Sequence, residues 1–236
     1  MPVDILALAA HRDDVEQTCA GTLLKMAERG YSTGILDLTQ GEMGTRGSRE
    51  DRESEAAEAA RILKVSWRHA LDIPDGRVEN TWDNRLKVAR VLREQRPRVL
   101  MLPYWEGRHP DHYTASTLGY EAAFLAGLSK LPVEGSAHRP FKIIYASLYR
   151  DVRPTFVVDI SAQFETRFAS LMAYKSQFSD QEAGSGIFPA QKEIRDRVES
   201  MARFYGMLAG VTYAEPFVQK EMGMVDDVMA IPVKSI

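Results

Sequence analysis

A chain of 236 residues with 44% hydrophobic residues is long enough to bury a substantial core in one domain. Its formal net charge of −3 offers no basic surface for a nucleic-acid partner, and no apolar run of about 18 residues predicts a membrane span. The single cysteine, Cys19, and an amino terminus without a leader pattern predict a protein of the reducing cytoplasm.

The first predicted strand, residues 3–8, runs into a polar turn that contains His11, Asp13 and Asp14. Open α/β sheets hold their ligands at this end of a buried strand. His11 and Asp14 are three residues apart, so both can point at one metal ion, while Asp13 stays unbound as an acid or base. The alternative is a solvated loop, because short motifs often occur by chance.

The next elements alternate between helix and strand. Their predicted bounds are a helix at 19–30, a strand at 32–39, a glycine-rich loop ending near 48, a helix at 49–63, a strand at 67–73 and a helix at 83–95. This alternation predicts a single-domain α/β fold with a doubly wound, mostly parallel, Rossmann-like sheet. No G-x-G-x-x-G motif follows a predicted strand, which disfavours a dinucleotide site.

A second polar cluster, residues 108–112, follows the predicted strand at 99–102 and contains His109, Asp111 and His112. If this strand neighbours the first one, the two clusters face each other across the carboxyl edge of the sheet. Asp111 is expected either to orient a histidine ring or to cap the following helix.

Together the two clusters supply a ligand set for zinc. Three of the five histidines lie in these short turns. The two turns combine into a His, Asp, His set of two imidazoles and one carboxylate, which suits Zn²⁺ and leaves a fourth position open for water.

The remaining half of the chain predicts an antiparallel edge to the sheet. Its elements are a helix at 114–128, a surface excursion at 129–140, strands at 142–149 and 156–160, a helix at 161–177, a helix at 191–209 and a last edge strand at 214–218. The short connection between the first two of these strands favours antiparallel pairing. Residues 179–189 are predicted to form a lid or an oligomer contact.

The motifs H-x-D-D at residues 11–14 and H-P-D-H at residues 109–112 resemble those of the PIG-L/LmbE-like superfamily of zinc-dependent N-acetylglucosaminide deacetylases. The likeness extends over most of the chain, through the glycine-rich residues 41–47 to residues 174–177. The resemblance therefore implies one zinc-dependent deacetylase domain over residues 1–236.

Within the superfamily, the chain is most similar to the bacillithiol-pathway enzymes that deacetylate N-acetyl-α-D-glucosaminyl L-malate. This similarity rests on the chain length, on Arg108 directly before His109, and on the ending at residues 225–227. Arg12 departs from the family pattern, which usually has proline there, and so a rigid φ angle is lost at the turn.

The resemblance implies roles for five residues of the two motifs. His11, Asp14 and His112 hold Zn²⁺, Asp13 takes a proton from the attacking water, and His109 stabilises the oxyanion that forms on the acetyl carbonyl. Whether Asp13 or His109 protonates the leaving amine is left open.

The resemblance also assigns two arginines to the substrate. Arg52 and Arg108 are expected to bind the carboxylates of the malate aglycone. For Arg52 the alternative is an exposed helix arginine that pairs with Glu53 or Glu55. Related enzymes are oligomers, so a homo-oligomer is expected, with a hexamer as one form.

Three other functions remain open. The chain could deacetylate N-acetylglucosamine or chito-oligosaccharides, act as a bacillithiol S-conjugate amidase, or be an α/β module that binds a sugar or nucleotide without turnover. A binding module would hold no zinc and release no acetate, whereas an S-conjugate amidase would prefer a bulky S-substituted substrate.

Overall fold

Seven strands form one sheet in the computed structural model, which describes residues 2–148, 150–179 and 190–233. The strands are β1 (Ile5–Ala9), β2 (Thr33–Asp37), β3 (Trp67–Ala70), β4 (Val99–Pro103), β5 (Lys142–Ala146), β6 (Phe156–Asp159) and β7 (Ala214–Val218). Their spatial order is β3-β2-β1-β4-β5-β7-β6. The first five strands in this order are parallel, and β7 is antiparallel to both of its neighbours.

Helices cover both faces of the sheet. In the described residues they are α1 (Asp14–Thr18), α2 (Ala20–Glu28), α3 (Arg49–Ile62), α4 (Trp82–Gln95), α5 (Pro110–Ala126), α6 (Phe164–Leu171), α7 (Lys175–Phe178) and α8 (Gln191–Ala209). Side chains of β1 alternate between the faces: Leu6 and Leu8 join the core formed with α4 and α5, while Ile5 and Ala7 join the core formed with α2. The predicted doubly wound, mostly parallel α/β fold is confirmed.

The order of strands reverses between β1 and β4. The strands β2 and β3 lie on one side of β1, while β4 and β5 lie on the other. Crevices at such a reversal are the usual ligand sites of open α/β sheets.

The antiparallel edge differs from the prediction. β5 and β6 do not pair with each other, because β7 lies between them and pairs with both. Pro216 lacks an N–H and is typical of an edge strand, but its neighbour Phe217 is fully buried. Because β7 pairs on both sides, the edge strand is β6, and the prediction that 214–218 forms the edge was wrong.

Two predicted helices are each divided in the structure. The chain becomes helical at Asp14 rather than at residue 19, and Cys19, with a φ of −136°, separates α1 from α2. The helix predicted at 161–177 is likewise two helices, α6 and α7. The predicted lid at 179–189 lies, apart from Ser179, outside the described residues. None of the described helices is long and apolar enough to cross a bilayer.

Candidate metal centre

The two polar clusters meet because β1 and β4 are adjacent parallel strands. The chain leaves β1 after Ala9 and turns into α1 at Asp14, while β4 ends at Pro103 and is followed by the loop that leads into α5. Pro110 occupies the first turn of α5, where a missing N–H costs nothing. The structure thus brings together the turns that the sequence places far apart.

The atoms of the three predicted ligands face one another. His112 Nε2 lies 3.1 Å from His11 Nδ1 and 3.1 Å from Asp14 Oδ1, and His11 Nδ1 lies 3.5 Å from Asp14 Oδ2. A tetrahedral zinc with ligand bonds of about 2.0–2.1 Å holds its ligand atoms about 3.3–3.4 Å apart. The donor types and their spacing therefore fit such an ion.

The second nitrogen of His11 is turned toward two other carboxylates. His11 Nε2 lies 3.2 Å from Asp75 Oδ1 and 3.4 Å from Asp111 Oδ2. A proton on Nε2 satisfies these acceptors and leaves the lone pair of Nδ1 for a metal, an arrangement common at protein zinc sites.

Asp111 is held by backbone donors. Its carboxylate accepts hydrogen bonds from the N–H groups of Gly76 and Val78, at 2.9 and 3.2 Å. The N-cap of α5 is His109, so the structure supports Asp111 as the residue that orients a histidine ring. His11, Asp75 and Asp111 also form a cluster of close ligand atoms. We assign this cluster to ring orientation, because Nε2 of His11 faces these two carboxylates while its Nδ1 faces His112 and Asp14.

Asp75 was not identified from the sequence. It lies in the Pro74-Asp75-Gly76 segment, which was interpreted only as a turn. This segment follows the carboxyl end of β3, as the two polar clusters follow β1 and β4. Its position after β3 was the available signal, because the ends of parallel strands share one edge.

The charges at the centre favour a bound cation. Burial alone would lower the pKa of His11, but the charge of Asp14 and hydrogen bonds with Asp111, Asp14 and Asp75 raise it to about 12. Burial would raise the pKa of Asp14, yet the charges of His112 and His11 hold it well below its usual range. The carboxylates therefore require a compensating positive charge, which either protons or a metal ion supply.

Asp13 directly precedes Asp14, and both of its carboxylate oxygens accept hydrogen bonds. Arg52 Nη2 donates to Oδ1 at 2.9 Å, and Gln17 Nε2 donates to Oδ2 at 3.1 Å. Each carboxylate oxygen has a second lone pair, so Asp13 can still accept a proton. These contacts fix the direction from which it does so.

Arg52 lies in the first turn of α3, whose start is fixed by a capping box between Ser48 and Asp51. Gly41, at a φ of +74°, lets the glycine-rich loop pass close by, since a Cβ there would lie 3.3 Å from Arg52 Nε. Arg52 is only 4% exposed and pairs with Asp13. The alternative of an exposed arginine paired within its own helix was therefore wrong.

His109 has a defined proton position. Its Nδ1 accepts a hydrogen bond from the N–H of Asp111 at 3.2 Å, so the neutral ring carries its proton on Nε2. Burial, followed by the charges of His11 and His112, lowers the pKa of His109. The ring is therefore a neutral donor at the rim of the centre.

The turn that carries the ligands is anchored through the backbone carbonyl of Arg12. Arg68 Nη2 and the hydroxyl of Tyr174 both donate hydrogen bonds to this oxygen. Arg68 is fixed in turn by Glu16, with atoms 2.7 Å apart, and by Asp37, at 2.8 Å. This buried network, which local sequence patterns do not reveal, holds the chain between His11 and Asp13.

Arg108 is exposed next to His109, and no hydrogen bond or ion pair joins its side chain to another described residue. Of the two predicted substrate arginines, it is therefore the one whose charge is unpaired.

Comparison with known proteins gives consistent similarities. The sequence profile described as "PIG-L: GlcNAc-PI de-N-acetylase" matches residues 6–123, which include all seven predicted site residues. A diacetylchitobiose deacetylase of Thermococcus kodakarensis is 30% identical over 224 residues, covering 89% of this chain and 80% of that protein.

Two solved structures have similar folds. The conserved protein TT1542 from Thermus thermophilus is 42% identical, with a TM-score of 0.86 over 95% of this chain and 98% of that one. The 4-carboxy-2-hydroxymuconate hydratase GalB from Pseudomonas putida is 20% identical, with a TM-score of 0.78 over 95% of this chain and 98% of that one. The second likeness shows the fold alone.

Proposed function

The chain belongs to the PIG-L family of de-N-acetylases, and on that premise we propose that it is a zinc-dependent hydrolase whose substrate is N-acetyl-α-D-glucosaminyl L-malate. The observation that carries the proposal is the grouping of His11, Asp14 and His112 at 3.1–3.5 Å, with Asp13 and His109 beside them. The reaction adds water across the acetyl C–N bond and yields acetate and a free amine.

His11, Asp14 and His112 would hold the zinc ion, which supplies a Lewis acid and makes water nucleophilic near neutral pH. Asp13 accepts a proton from the attacking water. Its two contacts, with Arg52 and Gln17, keep the carboxylate oriented while it does so.

His109 Nε2–H donates a hydrogen bond to the oxyanion that develops on the acetyl carbonyl. Breaking the C–N bond then requires a proton on the amine nitrogen. Asp13, which has just gained one, and His109, which carries one, are the two candidates for that transfer.

Replacing His109 by asparagine is expected to lower kcat by about 10²–10³-fold, as the loss of an oxyanion donor does in other enzymes. Asparagine keeps a cap for α5 but has no donor at the position of Nε2. Metal content and thermal stability should match the parent. The control is His138→Asn, because the His138 side chain hydrogen-bonds to Pro97 O, outside the centre. A His109→Asn enzyme with parental kcat would exclude this role.

The malate aglycone is proposed because of Arg108. A malate group brings two carboxylates, whereas N-acetylglucosamine alone brings none, and an exposed, unpaired guanidinium beside His109 is suited to such a group. Arg52 remains a proposed second contact. Since it already binds Asp13, however, its replacement is expected to lower kcat on every substrate.

Arg108→Gln is expected to lower kcat/KM for N-acetylglucosaminyl malate by about 10- to 150-fold, the range for a lost hydrogen bond to a charged group. Turnover of N-acetylglucosamine should be unchanged. Arg29→Gln, at an exposed arginine beyond the end of α2, is the matched control. An equal loss of kcat/KM on both substrates would show that Arg108 does not recognise the aglycone.

A chito-oligosaccharide is the second candidate substrate, because the relative from Thermococcus kodakarensis is a diacetylchitobiose deacetylase. New amine and acetate should be measured on N-acetylglucosaminyl malate, diacetylchitobiose and N-acetylglucosamine, with and without chelator. The proposal predicts chelator-sensitive release that is fastest on the malate compound. Faster release from diacetylchitobiose would reassign the substrate, and no release from any of them would reject deacetylation. Location in the cytoplasm and assembly into a homo-oligomer remain proposals.

A further inference from the structure

Arg12 lines a cavity that is separate from the metal centre. This cavity, of about 430 Å³, lies between the carboxyl ends of β2 and β3 and the first turns of α3. None of the residues around it is a proposed metal ligand or Asp13. The charged and titratable side chains that line it are Arg12, Asp37, Arg49, Glu53, Arg68 and His69.

One nitrogen of the Arg12 guanidinium is buried without a hydrogen-bond partner in the part of the chain that the structure describes. The residue is 5% exposed, and its Nε is fully buried with no hydrogen bond. Within residues 2–148, 150–179 and 190–233, no side-chain hydrogen bond or ion pair within 4.0 Å involves this guanidinium.

The other buried arginines differ from Arg12 in this respect. In the described part of the chain, each of them donates at least one hydrogen bond through its guanidinium. They are Arg46, Arg52, Arg93 and Arg167. Arg12 is therefore the exception. Its side chain borders a cavity, whereas the other four guanidinium groups each contact a hydrogen-bond acceptor.

An arginine stays charged at any physiological pH, and burying an unpaired charge is costly. The planar fork of its donors matches the oxygens of a carboxylate or a phosphate. The missing partner is therefore an oxyanion rather than a neutral group.

The charges around the cavity agree with an anionic occupant. Asp37 is already bound by Arg68, whose Nε and Nη2 donate to its two oxygens at 2.8 and 3.0 Å. Arg49 is exposed at the start of α3, where the helix dipole also favours an anion. Glu53 is the remaining acid, and it is exposed and makes no ion pair in the described residues.

The size of the cavity limits the occupant. At about 30 Å³ per water molecule, a volume of about 430 Å³ corresponds to about fourteen waters. This volume suits a small metabolite.

We propose that this cavity is a second binding site, for a small molecule that carries a phosphate or carboxylate group, with Arg12 as the main contact and Arg49 at the entrance. Arg12 follows His11 and precedes Asp13, and its carbonyl is held by Arg68 and Tyr174. A bound anion therefore stabilises the turn that carries the metal centre. The proposal is independent of the substrate assigned above.

The test is equilibrium binding of inorganic phosphate and of succinate to the metal-loaded protein, by calorimetry at constant ionic strength set with NaCl. Saturable binding is expected, with a matching rise in Tm because the ligand binds only the folded state. The ligand that binds more tightly identifies the anion class. Arg12→Gln should raise the Kd by about 10- to 150-fold.

The matched control is Arg61→Gln. Arg61 lies on α3, as Arg49 does, but it is outside the cavity and pairs with Glu58. Its Kd should equal that of the parent. If Arg12→Gln does not fold, Arg49→Gln should raise the Kd by about two- to fivefold, as for an exposed charge.

Two results would overturn the proposal. One is the absence of saturable binding of either anion to the parent protein. The other is a parental Kd in Arg12→Gln, or in Arg49→Gln where that variant is used, because the anion would then lie elsewhere, for example on the metal. Neither result bears on deacetylation, which is measured by amine release.

Discussion

Replacing His112 by alanine is expected to strip the metal from the protein and reduce amine release to background. His112 Nε2 lies 3.1 Å from both His11 Nδ1 and Asp14 Oδ1, so its loss opens one corner of the ligand set. Two remaining ligands bind zinc far more weakly than three. The measurement is metal per chain after dialysis, together with initial rate.

The control for this variant is His138→Asn, which removes a histidine that lies outside the centre. Asp14→Ala should behave like His112→Ala, because the carboxylate of Asp14 faces both histidines. If purified His112→Ala holds as much zinc as the parent protein, the ligand assignment is wrong.

Replacing Asp13 by alanine is expected to leave the metal in place and to lower kcat by about 10²–10⁴-fold, the usual contribution of a general acid or base. Asp13 lies next to the ligands but its oxygens bind Arg52 and Gln17. Metal content and kcat should therefore separate in this variant. In Asp14→Ala, by contrast, they fall together.

Asp13→Asn refines the experiment, because asparagine preserves the shape of the side chain but cannot take the proton. It also leaves the buried Arg52 without its anion, so thermal stability must be measured alongside kcat. Asp196→Asn is the control, since Asp196 forms an exposed pair with Lys192 on α8. If Asp13→Ala loses metal while Asp14→Ala keeps it, the two roles must be exchanged.

The grouping of His11, Asp14 and His112 was predictable because its essential information is local. His11 and Asp14 both follow β1, and His112 follows β4. Only the adjacency of these two strands therefore had to be assumed. Ligand sites in open parallel sheets are usually formed at the carboxyl ends of adjacent strands, so this assumption was a natural one. The fold class followed from the same alternation of strands and helices.

The features that the sequence did not predict are long-range. Asp75 reaches His11 across 64 positions of sequence, and Tyr174 reaches the carbonyl of Arg12 across 162. The partner of Arg52 is Asp13, on a different element, so helix spacing suggested the wrong acceptors. The strand β7 lies between β5 and β6 although it comes much later in the sequence. The short connection between β5 and β6 therefore gave the wrong pairing.

The fold by itself does not determine the reaction. A hydratase shares it at 20% identity with a TM-score of 0.78, and one fold commonly hosts several chemistries. The argument for amide hydrolysis therefore rests on the site. Family membership supports it, and the arrangement of Asp13 and His109 around the proposed ligands supplies the groups that hydrolysis needs.

The most direct test of the account is a titration of metal-depleted protein with Zn²⁺ while amine and acetate are measured on N-acetylglucosaminyl malate. We expect the two products in equal amounts, a rate that rises linearly to a plateau at about one equivalent of zinc per chain, and a return to background on chelation. Full activity in the metal-depleted protein, or a plateau reached only well beyond one equivalent, would contradict a single catalytic metal at His11, Asp14 and His112.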